Sequence, residues 1–241
     1  MTENFDGIVL RTLKYSDSLM IVDVYTRQRG RISFLAPVSR SKKSKVRSVL
    51  FQPLSMLTFA ASCRQGRQLS RINDVQPYAM YSSIPFNVVK SSIALFVAEM
   101  LSYTLHEEER NDALFDFLDS SFMLFDNLEQ GYADFHIVFL SQLLRHIGIY
   151  PNLEDYAPGA FVDLMQGLAS PEQPLHAHFL MPAESHFFVE LLSTSFDSMH
   201  TLSLNRELRG RFLAILIEYY RLHIPDFPNP KSLDVLKELF D

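Results

Sequence analysis

At Pro77 the chain changes both its apolar period and the sign of its charge. Ahead of that point, β-branched and aromatic residues alternate with polar ones at a spacing near two; behind it, apolar residues recur near every 3.6. Residues 1–76 carry 13 lysines and arginines against 5 aspartates and glutamates, an excess of eight cations. Residues 77–241 carry 9 against 23, and together they give the net charge of −6. A reversal this large predicts two domains, 1–76 and 77–241, facing different partners, in an α+β chain. The basic part has the electrostatic footprint of a polyanion binder, or else its cations keep a small sheet domain soluble.

Five segments of the first part read as strands: 5–13, 18–27, 31–37, 51–60 and 68–75. In the third, Ile32, Phe34 and Ala36 share one face and Arg31, Ser33 and Leu35 the other. Gly30 and Gly66 stand where tight hairpins need a positive φ. Five short strands cannot bury both faces as an open sheet, and a small OB-type barrel removes the exposed edges. Between strands three and four, residues 38–48 hold five cations (Arg40, Lys42, Lys43, Lys45, Arg47) and four serines. Such a loop is either a solvated connection or a phosphate-binding one, since cations this dense repel unless an anion lies among them. It follows a hairpin carrying Arg27, Arg29 and Arg31, so those arginines are expected beside it, with Arg64, Arg67 and Arg71 extending the patch. Of the aromatics available to stack on bases, Tyr25, Phe34 and Phe59 read as core and only Tyr15 as exposed. The implied binding is to the backbone, with little sequence preference.

The second part reads as a helical bundle. Val89, Ile93, Phe96, Val97, Met100 and Leu101 form one stripe, with Lys90, Ser91, Ser92, Glu99 and Ser102 opposite. Further helices are expected from the Asn111-Asp112 cap, over 132–147, 183–195 and 205–223, and from Ser232 to the end. Residues 149–182 interrupt the pattern with five of the twelve prolines, and are either functional or a reduced subdomain. His176 and His178 have no further ligands at metal spacing. Glu107-Glu108-Glu109 reads as a solvated helix terminus. Arg206, Arg209 and Arg211 oppose the dipole of the helix that follows Asn205, which points to an acidic partner or to ordinary ion pairs.

Several chemistries are excluded. Eight scattered glycines cannot form a phosphate loop or a dinucleotide fingerprint. Cys63 is the single cysteine, so neither an internal disulfide nor a thiolate zinc cage is available. The longest strongly apolar run, residues 93–98, is far short of the roughly 20 residues a membrane span needs. The acidic amino end lacks signal-peptide layout, and the expectation is a cytoplasmic protein without cofactor. Ser170, His176 and Asp155 have no spacing that supports a hydrolase, so no enzyme is expected.

The run from Gly7 to Thr12, then Tyr15-Ser16-Asp17-Ser18, Tyr25-Thr26-Arg27, Arg29-Gly30-Arg31-Ile32 and Arg40-Ser41-Lys42-Lys43-Ser44-Lys45, resembles the RecO family of bacterial DNA-repair proteins. The resemblance continues to Tyr219-Tyr220-Arg221-Leu222-His223 and Pro230-Lys231-Ser232-Leu233. It implies an OB-fold followed by a helical domain. It also implies a recombination mediator that binds single- and double-stranded DNA and anneals complementary strands. Such a mediator acts with a RecR-like protein and with the acidic tail of single-strand-binding protein to load the recombinase. Carried over by position, DNA binding falls on Arg11, Lys14, Arg27, Arg29, Arg31, Arg40, Lys42, Lys43, Lys45 and Arg47; the acidic tail is expected to meet an apolar pocket of the helical domain together with Arg206, Arg209 and Arg211, the arginines that oppose the helix dipole. Many family members carry a four-cysteine zinc module at the place of residues 149–182; this chain has no cysteine there. Val38-Ser39-Arg40-Ser41 also departs from the Gly-Ala-Arg-Arg run common before the basic loop. Without the resemblance, the charge pattern serves an OB-fold RNA-binding or ribosome-associated protein equally well.

Overall fold

Strand-forming sequence occupies the amino end, and in the computed structural model it closes into a barrel. The structure describes residues 2–39, 46–62, 69–202 and 204–240. The strands are β1 (Thr2–Lys14), β2 (Leu19–Thr26), β3 (Gly30–Pro37), β4 (Met56–Ser62) and β5 (Ser70–Pro77), in the closed order β1-β2-β3-β5-β4. Only the β3–β5 pair is parallel. This is the expected OB-type barrel. Its interior is built from alternate residues: Phe5 and Val9 of β1, Val22 and Val24 of β2, Phe34 and Ala36 of β3. Phe5, Phe34 and Phe59 meet at its centre with ring centroids 4.9–5.5 Å apart. Ile32 packs partly buried against the same core, while Tyr25 lies buried on the outer side, stacked on Phe115.

The fourth strand begins five residues later than the sequence suggests. Phe51 closes a 3-10 turn over Ser48–Leu50, and Leu54 takes φ +64 while its N–H donates to the Val9 carbonyl. Both side chains are buried, so this loop has the apolar content of a strand without its geometry. The hairpin assigned to Gly66 lies outside the described residues.

The chain divides into two compact units, Met1–Leu128 with Pro230–Leu236, and Glu129–Asn229 with Lys237–Asp241. The first unit therefore includes two helices beyond the barrel, α1 (Val88–Thr104) and α2 (Asp112–Asn127). They explain why Ile8, Val9 and Leu10 are all essentially inaccessible: β1 faces the barrel core on one side, and α1 packs against it. The same packing corrects the helix pattern. Lys90 and Ser102, on the polar side of the expected stripe, are 2% and 4% exposed. Glu99 accepts bonds from the backbone N–H groups of Lys231 and Ser232, at the start of α6 (Ser232–Phe240). Asn111 caps α2 as expected, accepting from the Leu114 N–H.

Gly30, with φ +65, opens β3 where an added Cβ would stand 2.5 Å from the carbonyl oxygens of both Glu107 and Glu109. Gly30→Ala is expected to cost about 1–3 kcal/mol from the left-handed backbone alone, with the collision adding to it. A urea titration would show a lowered midpoint; an unchanged midpoint would contradict the packing of the 107–109 segment on this hairpin.

In the second unit α3 (Phe135–His146), α4 (Pro182–Ser193) and α5 (Arg206–His223) surround Phe135, Phe139, Phe188, Phe212, Tyr219 and Tyr220. Residues 149–182 contain a small sheet of β6 (Phe161–Asp163), β7 (Leu168–Ser170) and β8 (Phe179–Leu180), in the order β7-β6-β8. Asp163 closes the β6–β7 turn by accepting from the N–H groups of Met165 and Gln166, and its other oxygen meets His176 Nε2 at 3.0 Å. His178 Nδ1 lies 2.7 Å from Glu218 on α5, and Tyr219 donates its hydroxyl to the Ile149 carbonyl. Each histidine of the pair is thus held to a carboxylate, and the segment is a small hydrogen-bonded β subdomain. Ser170 donates to the Glu172 carbonyl, away from His176.

Candidate nucleic-acid interface

The eight residues of β3 separate the two groups of cations that the sequence suggests are neighbours. Thr26 pairs with Gly30 at the hairpin, and Leu19 pairs with Pro37 at the other end of the same ladder. At about 3.3 Å per residue the two ends lie roughly 23 Å apart. Arg27, Arg29 and Arg31 stand at the hairpin. The flanks of the basic loop emerge at the far end, where the Val38 N–H donates to the Ser18 carbonyl and the Ser48 N–H to the Ser39 carbonyl. The chain thus traverses the barrel between the hairpin and the described flanks of the loop. Arg40, Lys42, Lys43 and Lys45, with Arg64 and Arg67, lie outside the described residues. Arg71 is exposed, opposite Leu35 on β3 and Ser62 on β4.

At the hairpin end the arginines have carboxylate partners. Arg27 pairs with Asp116 at 2.7 Å and lies 4.3 Å over the Phe115 ring; Arg29 pairs with Glu3 at 2.8 Å. Arg31 is the most deeply committed, its side chain 14% exposed. Its Nη2 donates to Asp23 at 2.9 Å and its Nη1 to the Ser102 and Leu105 carbonyls at 2.8 Å each, near the end of α1. Arg11 Nε and Ser33 Oγ complete the shell of Asp23 at 2.6 and 2.5 Å. Burial alone would raise the Asp23 carboxyl, but the bonds from Ser33, Arg11 and Arg31 outweigh it and hold it below the ordinary range. Asp23 is an outward-facing strand residue, and sequence reasoning gave it no role. The signal was an acid in alternation between Val22 and Val24, with Arg31 and Ser33 on the facing strand.

The other end of the barrel is different in kind. The β1–β2 turn carries Lys14 and Tyr15, and Arg47 stands just before the 3-10 turn whose first residue bonds Ser39. Lys14 pairs with Asp17 at 2.8 Å, but both side chains are largely in water, so the pair is weak and exchangeable. Arg47 makes no ion pair among the described residues. Tyr15 is 60% exposed, whereas Tyr25, Phe34 and Phe59 are buried, as the sequence suggests.

In the second unit Arg209 donates to Asp134 at 2.7 Å with both side chains mostly buried, and Arg211 donates to Glu184 at 2.5 Å. Arg206 is exposed on the first turn of α5, whose N-terminus is capped by Asn205 accepting from the Leu208 N–H. The arginines that oppose the helix dipole thus include two held by carboxylates of their own unit. His136, fully buried on α3, is pushed down to about 3 by burial and by the charge of Arg209, so it is neutral.

Among the described residues no helix is long and apolar enough to cross a membrane, and no three metal-ligating side chains converge. Two family models cover the chain: recombination protein O N terminal over residues 1–81, and recombination protein O C terminal over residues 85–233. A DNA repair protein RecO of Bacteroides fragilis is 46% identical over the full length of both chains, and one of Phocaeicola vulgatus is 45% identical, again over both full lengths. A third, of Flavobacterium psychrophilum, is 35% identical over 97% of each. With both of its parts matched in order and its whole length shared with proteins of that name, the chain belongs to the recombination protein O (RecO) family.

Proposed function

We propose that this chain is a recombination mediator of DNA repair, acting at the nucleoid. It binds single- and double-stranded DNA through the backbone, anneals complementary strands, and works with a RecR-like protein and single-strand-binding protein to promote recombinase loading. The observation that carries this reading is the contrast between the two ends of the barrel. Each arginine at the hairpin has a carboxylate partner within the chain, Arg31 in a mostly buried pair, while the turn end adjoins a sequence of five cations in eight residues (40–47) and has only Asp17 as an acid in its turn. Two phosphate backbones approach each other only if their repulsion is screened, and a cationic barrel supplies counterions without nucleotide hydrolysis. The division of labour follows the charge: residues 1–76 meet DNA, and residues 77–241 meet proteins. Arg206, Arg209 and Arg211 are the cations we assign to the acidic tail of single-strand-binding protein. Arg209 and Arg211 would then exchange Asp134 and Glu184 for the acidic tail.

Neutralising about five phosphates gives a slope near −3.5 for the logarithm of single-strand affinity against log salt. Replacing Arg40, Lys42, Lys43, Lys45 and Arg47 together by alanine is expected to flatten that slope toward zero and to abolish annealing. Unchanged binding, or a wild-type preference for structured RNA over single-stranded DNA in competition, would overturn the proposal. The whole chain is required for such titrations, because a cut at residue 76 would strip α1 from the apolar outer face of β1.

A further inference from the structure

We propose that Tyr15 is a base-stacking residue, which makes the turn end of the barrel a reader of unpaired bases as well as of phosphates. This rests on the backbone-binding reading above and adds to it a reason to distinguish single strands from duplex. The other aromatics of residues 2–77, Phe5, Tyr25, Phe34, Phe51 and Phe59, are each 4% exposed or less, so among the described residues of that stretch Tyr15 is the ring presented to solvent. Leu13 and Val38, also well exposed, line a depression of about 370 Å³ with Lys14, Ser16 and Met20, the residues on either side of Tyr15 in the turn contributing to it.

The ring is carried on an ordered support. The N–H groups of Tyr15 and Ser16 both donate to the Leu19 carbonyl, and Ser16 Oγ accepts from the N–H groups of Ser18 and Leu19. Val38 ties the start of the following loop to the same turn through the Ser18 carbonyl. A rigid turn lowers the ordering cost of stacking. In five-stranded barrels of this topology the connection between the first two strands is one that meets oligonucleotides. An exposed aromatic ring next in the chain to Lys14, at the end of the barrel where Arg47 also enters, suits a nucleotide: the base stacks on the ring and the neighbouring phosphates meet the cations of that end. An apolar protein anchor has no need of those cations, and duplex DNA offers no free base face.

The chain contains no tryptophan, so Tyr15→Trp installs a single fluorophore at the site. Titrated into the full-length variant, oligothymidylate is expected to quench that emission. A duplex of equal length and an abasic deoxyribose-phosphate chain are expected to bind, by anisotropy of a labelled end, with little quenching. Tyr15→Ala should weaken oligothymidylate binding about 5- to 150-fold and leave duplex binding within twofold, whereas Tyr15→Phe should behave as wild type. Oligothymidylate binding without quenching, with Tyr15→Ala at wild-type affinity, would overturn the stacking role and leave the backbone reading standing. Loss of binding to all three polymers by the wild-type chain would overturn both.

Discussion

Asp126→Ala is expected to remove about 3–5 kcal/mol from the stability of the first unit. Asp126 is 4% exposed and receives the N–H groups of Ser82, Ser83 and Ile84 at 2.6–2.8 Å, with the Ser82 hydroxyl at 2.9 Å. Its own carbonyl accepts from Lys90 Nζ at 2.9 Å, and that ammonium, 2% exposed, also donates to Ser83 Oγ at 2.6 Å. One carboxylate thus anchors the segment that leads from the barrel into α1. Deleting it orphans three backbone donors, each costing about 1–3 kcal/mol when buried, and frees Ser82 and Ser83, the second of which accepts from the buried Lys90 ammonium. Burial raises the carboxyl, yet the three backbone bonds outweigh that and bring it down to about 2. Since the folded value lies below the ordinary 3.8, the stabilisation is complete above pH 4 and is lost as pH falls toward 2. Urea denaturation between pH 2 and 6 should therefore show a sloping wild type and, for Asp126→Ala, a lower curve with less of that acid-side slope. A variant within about 0.5 kcal/mol of wild type at pH 6 would refute the anchor.

The barrel was legible because its core obeys strict alternation: Phe34 and Ala36 point inward, as do Val22 and Val24, and the Gly30 turn takes the positive φ its hairpin requires. What misled was burial on two sides. Phe51 is apolar because it joins the barrel core from a loop, Leu54 because it is buried beside β1, and Lys90 is polar yet buried because its ammonium finds Ser83 and the Asp126 carbonyl. The decisive partners are remote in sequence: Asp126 lies 36 residues from Lys90, and Val9 lies 45 from Leu54. Residues 149–182 were legible as an interruption but not as a sheet. Strands of two and three residues are too short for a period, and Asp163 and His176 reveal themselves as partners only when folded.

The candidate interface was legible as charge and not as geometry. Counting cations found the amino end, but proximity in sequence placed Arg27, Arg29 and Arg31 beside the basic loop, and an eight-residue strand lies between them. A count also cannot tell a cation that awaits phosphate from one already neutralised. Arg11 and Arg31 share Asp23, and Arg27 and Arg29 have Asp116 and Glu3.

That distinction gives Arg31→Ala an outcome opposite to that of the loop cations. It breaks a mostly buried pair and leaves the carbonyls of Ser102 and Leu105 without their donor, so a loss of about 3–5 kcal/mol is expected. Asp23 keeps Arg11 and Ser33, which sets the lower end of that range. In a double-mutant cycle, Asp23→Asn and Arg31→Met should couple by about 1–3 kcal/mol, because each removes one side of a single contact. The salt dependence of oligonucleotide binding supplies the second readout. A phosphate-binding arginine contributes about 0.7 to the slope on single strands, so its removal would flatten the line by that amount at any temperature where the protein is folded. If Arg31 serves to fasten the barrel to α1, the slope stays at its wild-type value while the denaturation midpoint falls. A flattened slope with an unchanged midpoint would return Arg31 to the DNA-binding set and leave the Asp23 cluster without a structural role.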